Sequence, residues 1–261
     1  YPNEIVITGI SPDPTIYYLI ELLQKSTNRR IKYITADKIG ISKVDMIEIN
    51  DAEITIPPDM SMLVSYVLLF WEELEDVIFE NISIADIPEN IELIEDNAFS
   101  HLEGLKSITL PDHVTQISRK AFEGCRNLET VKLPPSLLQI GAGAFLDCAL
   151  LDHVSLPESL QDFNGDAFRG CSSLVDLQAA PGNPAVVLEN GILYTADKSQ
   201  LLWCSPSVTG TLTIPESVTS VYTLAFYDAA NLSSLVIPES MQVMPGTLFG
   251  LCPALEDIRI A

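Results

Sequence analysis

Basic residues are scarce in this chain. Only 14 Lys and Arg stand against 36 Asp and Glu, for a net charge of −22. A nucleic-acid binder needs Lys and Arg to neutralise phosphates, so this balance argues against DNA or RNA as a partner. It argues in the same way against an anionic membrane surface, and it favours solubility, cations or a basic protein. Histidine is scarcer still, with three residues, too few for most catalytic or metal schemes. Long apolar runs are missing as well. The most apolar stretch, Met60 to Trp71, falls short of the roughly 20 residues that span a bilayer. No Gly-rich phosphate loop, metal-spaced His pair or nucleophile elbow occurs. The five cysteines are odd in number and none forms a Cys-x-x-Cys pair. That pattern gives no basis for a disulfide framework or a tetrahedral zinc site, and it leaves the compartment open.

What the chain has in abundance is repetition. An Ala-Phe pair recurs at Ala98-Phe99, Ala121-Phe122, Ala144-Phe145 and Ala167-Phe168, in steps of 23 residues. It returns at Ala225-Phe226, and as Leu248-Phe249 after 23 more. Prolines keep the same beat at Pro88, Pro111, Pro134, Pro157, Pro215 and Pro238. A fixed period in this range marks a solenoid. Each unit reads Leu-x-x-Ile/Val-x-Leu-Pro, as in Leu128, Val131, Leu133 and Pro134. Its last apolar positions alternate with polar ones, as a half-buried strand requires. The proline, with no N–H to give a ladder, ends the strand. A second short apolar stretch follows, such as Leu137 and Ile140. An Ala-Phe-x-x-Cys tail then predicts a short helical turn that plugs the coil. Cys125, Cys148, Cys171 and Cys252 hold one repeat position and predict a buried column of small side chains. A single coil cannot bury its own apolar face, but stacked coils can. About seven coils at the spacing of strand rungs predict a rod about 35 Å long.

The Leu-Pro, Ile-Gly and Ala-Phe-x-x-Cys signature resembles the BspA-like class of leucine-rich repeats, found in surface proteins of oral and gut bacteria and of some parasitic protists. The resemblance runs from about residue 54 to the C-terminus and is densest over 88–173 and 209–258. It weakens at the first copy, where Ile54-Thr-Ile-Pro57 and Leu69-Phe70 are off-register. Leu102 and Ala229 stand where other copies carry cysteine. The resemblance implies a β-rich leucine-rich-repeat solenoid, a right-handed superhelix with short helical turns.

Residues 1–50 fall outside the repeat and predict a small α/β cap. Its parts are a strand at Ile5 to Thr8, an amphipathic helix at Thr15 to Lys25 and a second strand at Ile31 to Ile34. Atypical terminal units seal the open ends of solenoids. The Asn28-Arg29-Arg30 spot reads as a solvated loop. The solenoid then occupies 51–261, with a longer helix predicted at Ser61 to Glu75. About 35 extra residues interrupt the beat, and a β-meander is expected at about 178–208. Asn190-Gly191 lies between apolar runs and signals a hairpin, Ala196 to Gln200 makes a second turn, and Leu201 to Cys204 makes a third strand. The family resemblance implies that this meander protrudes between coils. The chain opens on Tyr1 without Met, as a trimmed leader or tag leaves it. It carries no wall-anchor signal or polar C-terminal cap, so the natural chain is expected to run past Ala261.

Three rows of outward positions bear on function. One reads Ser107, Thr130, His153, Asp176 along successive coils, a hydroxyl, imidazole and carboxylate order that a nucleophile, base and orienter would need. The competing reading is a solvated polar row, since nothing supplies an oxyanion hole. The second reads Glu89, Asp112, Pro135, Glu158, Glu216, Glu239 along one rim. Calcium needs converging oxygens, and this is a line. A solvated rim that discourages edge pairing, or a basic partner's contact, suits it better. The third reads Thr109, Lys132, Ser155, Gln178 and has the mixed polarity of a recognition surface. Tyr194, Trp203 and Tyr222 offer rings that either stack on a sugar or peptide, or pack the meander onto the solenoid. Asn81-Ile-Ser83 and Asn231-Leu-Ser233 match the glycosylation sequon, which counts only in a secreting eukaryote.

These observations predict a monomeric, non-enzymatic module without metal or cofactor. The resemblance adds display on a bacterial cell surface or secretion, with adhesion or protein-protein contact through the ladder face and the meander. The partner residues are then Thr109, Lys132, Ser155, Gln178, His153, Asp176, Tyr194 and Trp203. The partner is an extracellular protein, a basic one in particular, or a glycan. The alternative is a structural spacer with no ligand of its own.

Overall fold

The computed structural model describes residues 87, 90–102, 104–241 and 244–261. Ahead of these it describes the backbone of six strands: Glu4–Gly9, Arg30–Thr35, Ile47–Asn50, Glu53–Thr55, Val77–Glu80 and Ser83–Ala85. The first two pair in parallel, as do Ile47–Asn50 with Val77–Glu80 and Glu53–Thr55 with Ser83–Ala85. In these last two pairs Ile47 faces Val77 and Glu53 faces Ser83, a longer step than the regular repeat, which accounts for the off-register first copy. The helices predicted at Thr15 to Lys25 and Ser61 to Glu75, and the Asn28-Arg29 loop, lie outside the described residues.

The regular coils build two parallel ladders. One consists of Ser107–Thr109, Thr130–Lys132, His153–Leu156 and Asp176–Ala179. The other consists of Leu93–Ile94, Gln116–Ile117, Gln139–Ile140 and Asp162–Phe163. Every rung meets the residue one repeat away, as Val131 meets Ile108 and Ile140 meets Ile117. The strands are short because the proline arrives after two or three alternating residues. Its carbonyl then accepts from the amide three residues on, at Val114, Leu137 and Leu160, closing the turn between ladders. Ser136 and Ser159 sit inside these turns and donate to Val114 and Leu137 carbonyls of the previous coil.

The Ala-Phe segment is a turn and not the predicted helical one, and no helix occurs among the described residues. Backbone conformation explains this. Asn97, His101, Lys120, Gly124, Gly143, Asp147 and Gly170 all have positive φ, between 58° and 80°. A left-handed residue every four positions ends a right-handed helix before it can propagate. It also redirects alternate amides. Asn97, Phe99 and His101 donate to Arg119, Ala121 and Glu123 of the next coil, while Ala98 and Ser100 close turns onto Glu95 and Asn97. The corner thus hydrogen-bonds between coils as the ladders do.

Inside, the repeat becomes columns. Phe99, Phe122, Phe145 and Phe168 stack with centroids 5.0, 5.1 and 5.6 Å apart, and all four are buried. Beside them runs the cysteine column. Cys125, Cys148 and Cys171 each donate a thiol hydrogen to the carbonyl of Phe99, Phe122 and Phe145, at 2.9 to 3.1 Å. Cys252 does the same to Phe226 at 2.7 Å. A small side chain with a weak donor fits there, and all five cysteines are free. Burial pushes the Cys171 thiol up, and Cys204 up to about 12, which keeps both protonated.

The meander differs from the expectation of a protruding insert. Val186–Glu189, Ile192–Thr195 and Gln200–Cys204 run antiparallel and form a wall one sheet thick between two cores. Leu193, Leu202 and Trp203 pack into the N-terminal core, whereas Ile192, Tyr194, Leu201 and Cys204 pack into the C-terminal one. A bulge lets Leu202 and Trp203, adjacent in sequence, face the same side. Strand Gln200–Cys204 then pairs in parallel with Ser220–Val221, and the solenoid resumes through Gly210–Thr213, Leu232–Ile237 and Asp257–Ile260. The three meander strands are nearly continuous apolar runs, and such runs mark a strand covered on both faces.

Side chains also tie the two halves together. Tyr222 packs on both cores and donates its hydroxyl to Asn164 at 2.8 Å. Its ring lies against Gly165, where a Cβ would come within 2.5 Å of it. Asp228 is buried at this seam and accepts from the Gly170 amide at 2.8 Å. Burial raises the Asp228 carboxyl, and the charge of Asp147 adds to the effect. A carboxyl raised in the folded state costs stability once ionised, and the cost fades as pH falls through its folded pKa. Asp228→Asn keeps an oxygen for the Gly170 amide and removes the charge. It is expected to raise Tm by about 2 °C near neutral pH, with the gain vanishing in acid. A fall in Tm at neutral pH, read by differential scanning calorimetry, would show that the charge is compensated.

Candidate functional site

The first ladder carries the candidate site. Its buried residues, Ile108, Val131, Val154 and Leu177, point into the core, so their neighbours point out. This is the period-two logic of a strand. Parallel register then sets Ser107 beside Thr130, Thr130 beside His153 and His153 beside Asp176. The next row out sets Thr109 beside Lys132 and Ser155 beside Gln178. Six predicted partner residues therefore share one face: Thr109, Lys132, Ser155, Gln178, His153 and Asp176.

That face is hollow. An open groove of about 560 Å³ runs over the first three rungs of this ladder, lined by Ser107, Thr109, Thr130, Lys132, His153 and Ser155 and walled at one edge by Leu133, Pro135 and Pro157. The sequence places Leu133 and Pro157 in the strand motif and Pro135 in the rim row, and the strand-ending role of Pro157 sets it at the ladder's margin. Beyond the groove, on the fourth rung, Asp176 accepts from Gln178 at 3.1 Å and lies 2.8 Å from the Nδ1 of His153. The Gln178 hydrogen bond, and after it that of His153, holds the Asp176 carboxyl below its ordinary value.

The Ser107, Thr130, His153, Asp176 row is thus assembled. Its surroundings are open, with the His153 and Asp176 side chains 44% and 56% exposed. Ladder amides nearby are spent on neighbouring rungs, as Glu129 and Thr130 donate to Lys106 and Asp176 to Asp152. The chemistry the row offers is hydrogen bonding to something laid across it.

Tyr194 and Trp203 are not on this face. Each is only 4% exposed, inside one of the two cores, where each packs the meander and is out of reach of a sugar or peptide. Burial pushes the Tyr194 hydroxyl up to about 12, and the charge of Glu189 contributes. The acidic rim is present as a line of exposed residues, Asp112, Glu158, Glu216 and Glu239 among them, broken at Pro135. No group of three or more metal-ligating side chains occurs among the described residues. Nor, among them, is any helix long and apolar enough to cross a membrane.

Comparison with known proteins agrees with this architecture. The BspA type leucine rich repeat region matches in six copies, over residues 72–183 and 204–261. No curated protein matches the chain in sequence. Among solved structures, a leucine rich cell surface protein from Faecalibacterium prausnitzii is similar in fold, with a TM-score of 0.60 at 22% identity over 82% of this chain. A leucine-rich repeat protein from Eubacterium ventriosum follows at 0.51, with 15% identity over 82% of the chain. The chain spans 64% of the first of these proteins and 67% of the second. With the repeat model covering well over half of its residues, the chain belongs to the BspA type leucine rich repeat family.

Proposed function

We propose that this chain is a non-enzymatic protein-binding module, displayed on a bacterial cell surface or secreted, that takes its partner in the groove of the first ladder. The observation that carries this reading is the groove itself. It is a hollow about 560 Å³ in volume, lined by polar side chains of mixed size from successive rungs and by an apolar wall. Those side chains project from a rigid, fully packed core, so little ordering entropy opposes binding. Family membership and the likeness to a cell surface protein support display outside the cell.

The test is surface plasmon resonance against a panel of extracellular matrix and serum proteins, with the intact chain and with Ser155→Trp. Ser155 is exposed on the groove floor, so the longer side chain fills the groove without entering the core. Binding by the intact chain that Ser155→Trp abolishes is the expected result. Binding that survives the substitution moves the partner elsewhere. Silence across the panel favours a spacer with no ligand of its own.

A further inference from the structure

Resting on that reading, we infer that the groove takes an acidic segment of its protein partner, gripped at Lys132. The groove stands apart from the rest of the chain in its charge. Asp and Glu outnumber Lys and Arg 36 to 14 in the sequence, yet no carboxylate is among the residues that line it. Its polar lining is an ammonium, an imidazole and four hydroxyls, on Ser107, Thr109, Thr130 and Ser155. All of these can donate hydrogen bonds, and the ammonium can only donate.

Lys132 is central to the arrangement. It is exposed, and no ion pair within the described residues holds it. Thr109 stands beside it on one rung, and the same register brings Ser155 beside it on the other. A cation flanked by two hydroxyls is a receptor for a carboxylate, since charge-assisted hydrogen bonds are about twice as strong as neutral ones. Asp176 does not compete for Lys132, because its oxygens are already engaged by His153 on the adjacent rung and by Gln178 two residues along its own strand. Glu129 and Asp152 precede their strands and lie outside the lining.

The shape favours protein over glycan. No Phe, Tyr or Trp lines the groove, and Tyr194 and Trp203, which could have stacked on a sugar, are buried in the cores. The apolar wall of Leu133, Pro135 and Pro157 instead suits the side chains that flank an acidic residue in an extended segment. This assignment separates the groove from the rim. The rim carboxylates attract basic surfaces, whereas the groove receives an anion despite the net charge of −22. Salt therefore acts with opposite signs. It weakens attraction to the rim, but it also screens the general repulsion of an acidic segment.

The probe is a short fluorescent oligo-glutamate peptide, measured by anisotropy beside oligo-glutamine and polygalacturonate. Oligo-glutamate is expected to bind in preference to oligo-glutamine, with affinity that holds as salt rises. Lys132→Glu is expected to weaken it about tenfold, since reversal replaces attraction by repulsion. Lys132→Arg retains binding, and Lys198→Glu, on the meander, leaves it unchanged. Lys132 is exposed, so an unaltered Tm verifies that the variants fold. Equal binding by Lys132→Glu, or a preference for oligo-glutamine, overturns the assignment. Polygalacturonate bound in place of the peptide transfers the site to acidic glycans and overturns the choice of protein. A panel partner lost with Ser155→Trp but untouched by Lys132→Glu leaves the groove reading standing and removes its preference for anions.

Discussion

Phe145→Ala is expected to destabilise the chain by about 4 kcal/mol, the usual cost of truncating a fully buried phenylalanine. Phe145 has no exposed surface and sits between two rings. It is 5.1 Å from Phe122, with planes 1° apart, and 5.6 Å from Phe168. Truncation removes both stacks and opens a cavity in the middle of the rod. The corner backbone cannot collapse to fill it, because Phe145 donates to Ala167 of the next coil and its carbonyl accepts the Cys171 thiol. Against a typical stability of about 5 to 15 kcal/mol, that loss is large. Phe249 supplies the internal control. It is half-buried and stacks on Phe226, at the C-terminal end of the solenoid. Phe249→Ala is expected to cost about 1 to 2 kcal/mol, because nearest-neighbour contacts dominate repeat proteins and this ring's exposed face has less to lose. Urea unfolding of both variants provides the measurement. Equal losses would mean that the stack contributes nothing beyond burial of a single ring.

The repeat was legible because each of its positions has a fixed job that few residues can do. Proline ends the strand, phenylalanine fills the column and cysteine caps a carbonyl, so the period survives where intervening residues vary. Ladder register followed directly, and with it the common face of Thr109, Lys132, Ser155 and His153. The turn at Ala-Phe was misread as helical because its apolar spacing fits a helix. The residues that forbid one, Asn97, Lys120 and Asp147, occupy left-handed backbone without being glycine. Tyr194 and Trp203 were open to two readings by type, since an amphipathic ring suits a binding surface as well as a core. Their apolar neighbours on both sides, Ile192-Leu193 and Leu201-Leu202, carried the deciding signal. Hollowness left no trace in the sequence, because it depends on how side chains from several rungs meet in space and not on any one residue. The seam of Asn164, Gly165, Tyr222 and Asp228 was equally hidden, as its partners lie 58 residues apart and outside the repeat period.

Trp203→Ala is expected to cost about 3 to 5 kcal/mol and, in addition, to split unfolding into two transitions. Trp203 is 4% exposed and reaches from the meander into the N-terminal core, in register with Leu193. Among the described residues, the two cores meet at this wall and at the seam around Tyr222. In a linear array, cooperativity survives only while the coupling between neighbours exceeds the difference in their own stabilities. Removing the largest side chain on the wall's N-terminal face weakens that coupling directly. The shorter C-terminal half is then expected to melt first, detected by far-ultraviolet circular dichroism in a urea titration. Tyr222→Phe serves as the comparison. It deletes only the hydroxyl that donates to Asn164, a loss of about 1 kcal/mol, and keeps the ring against both cores. Its unfolding is expected to remain a single transition. If Trp203→Ala also unfolds in one step, the coils on either side of the meander are coupled through the corner and ladders more strongly than through the wall, and the meander serves as filling and not as the joint.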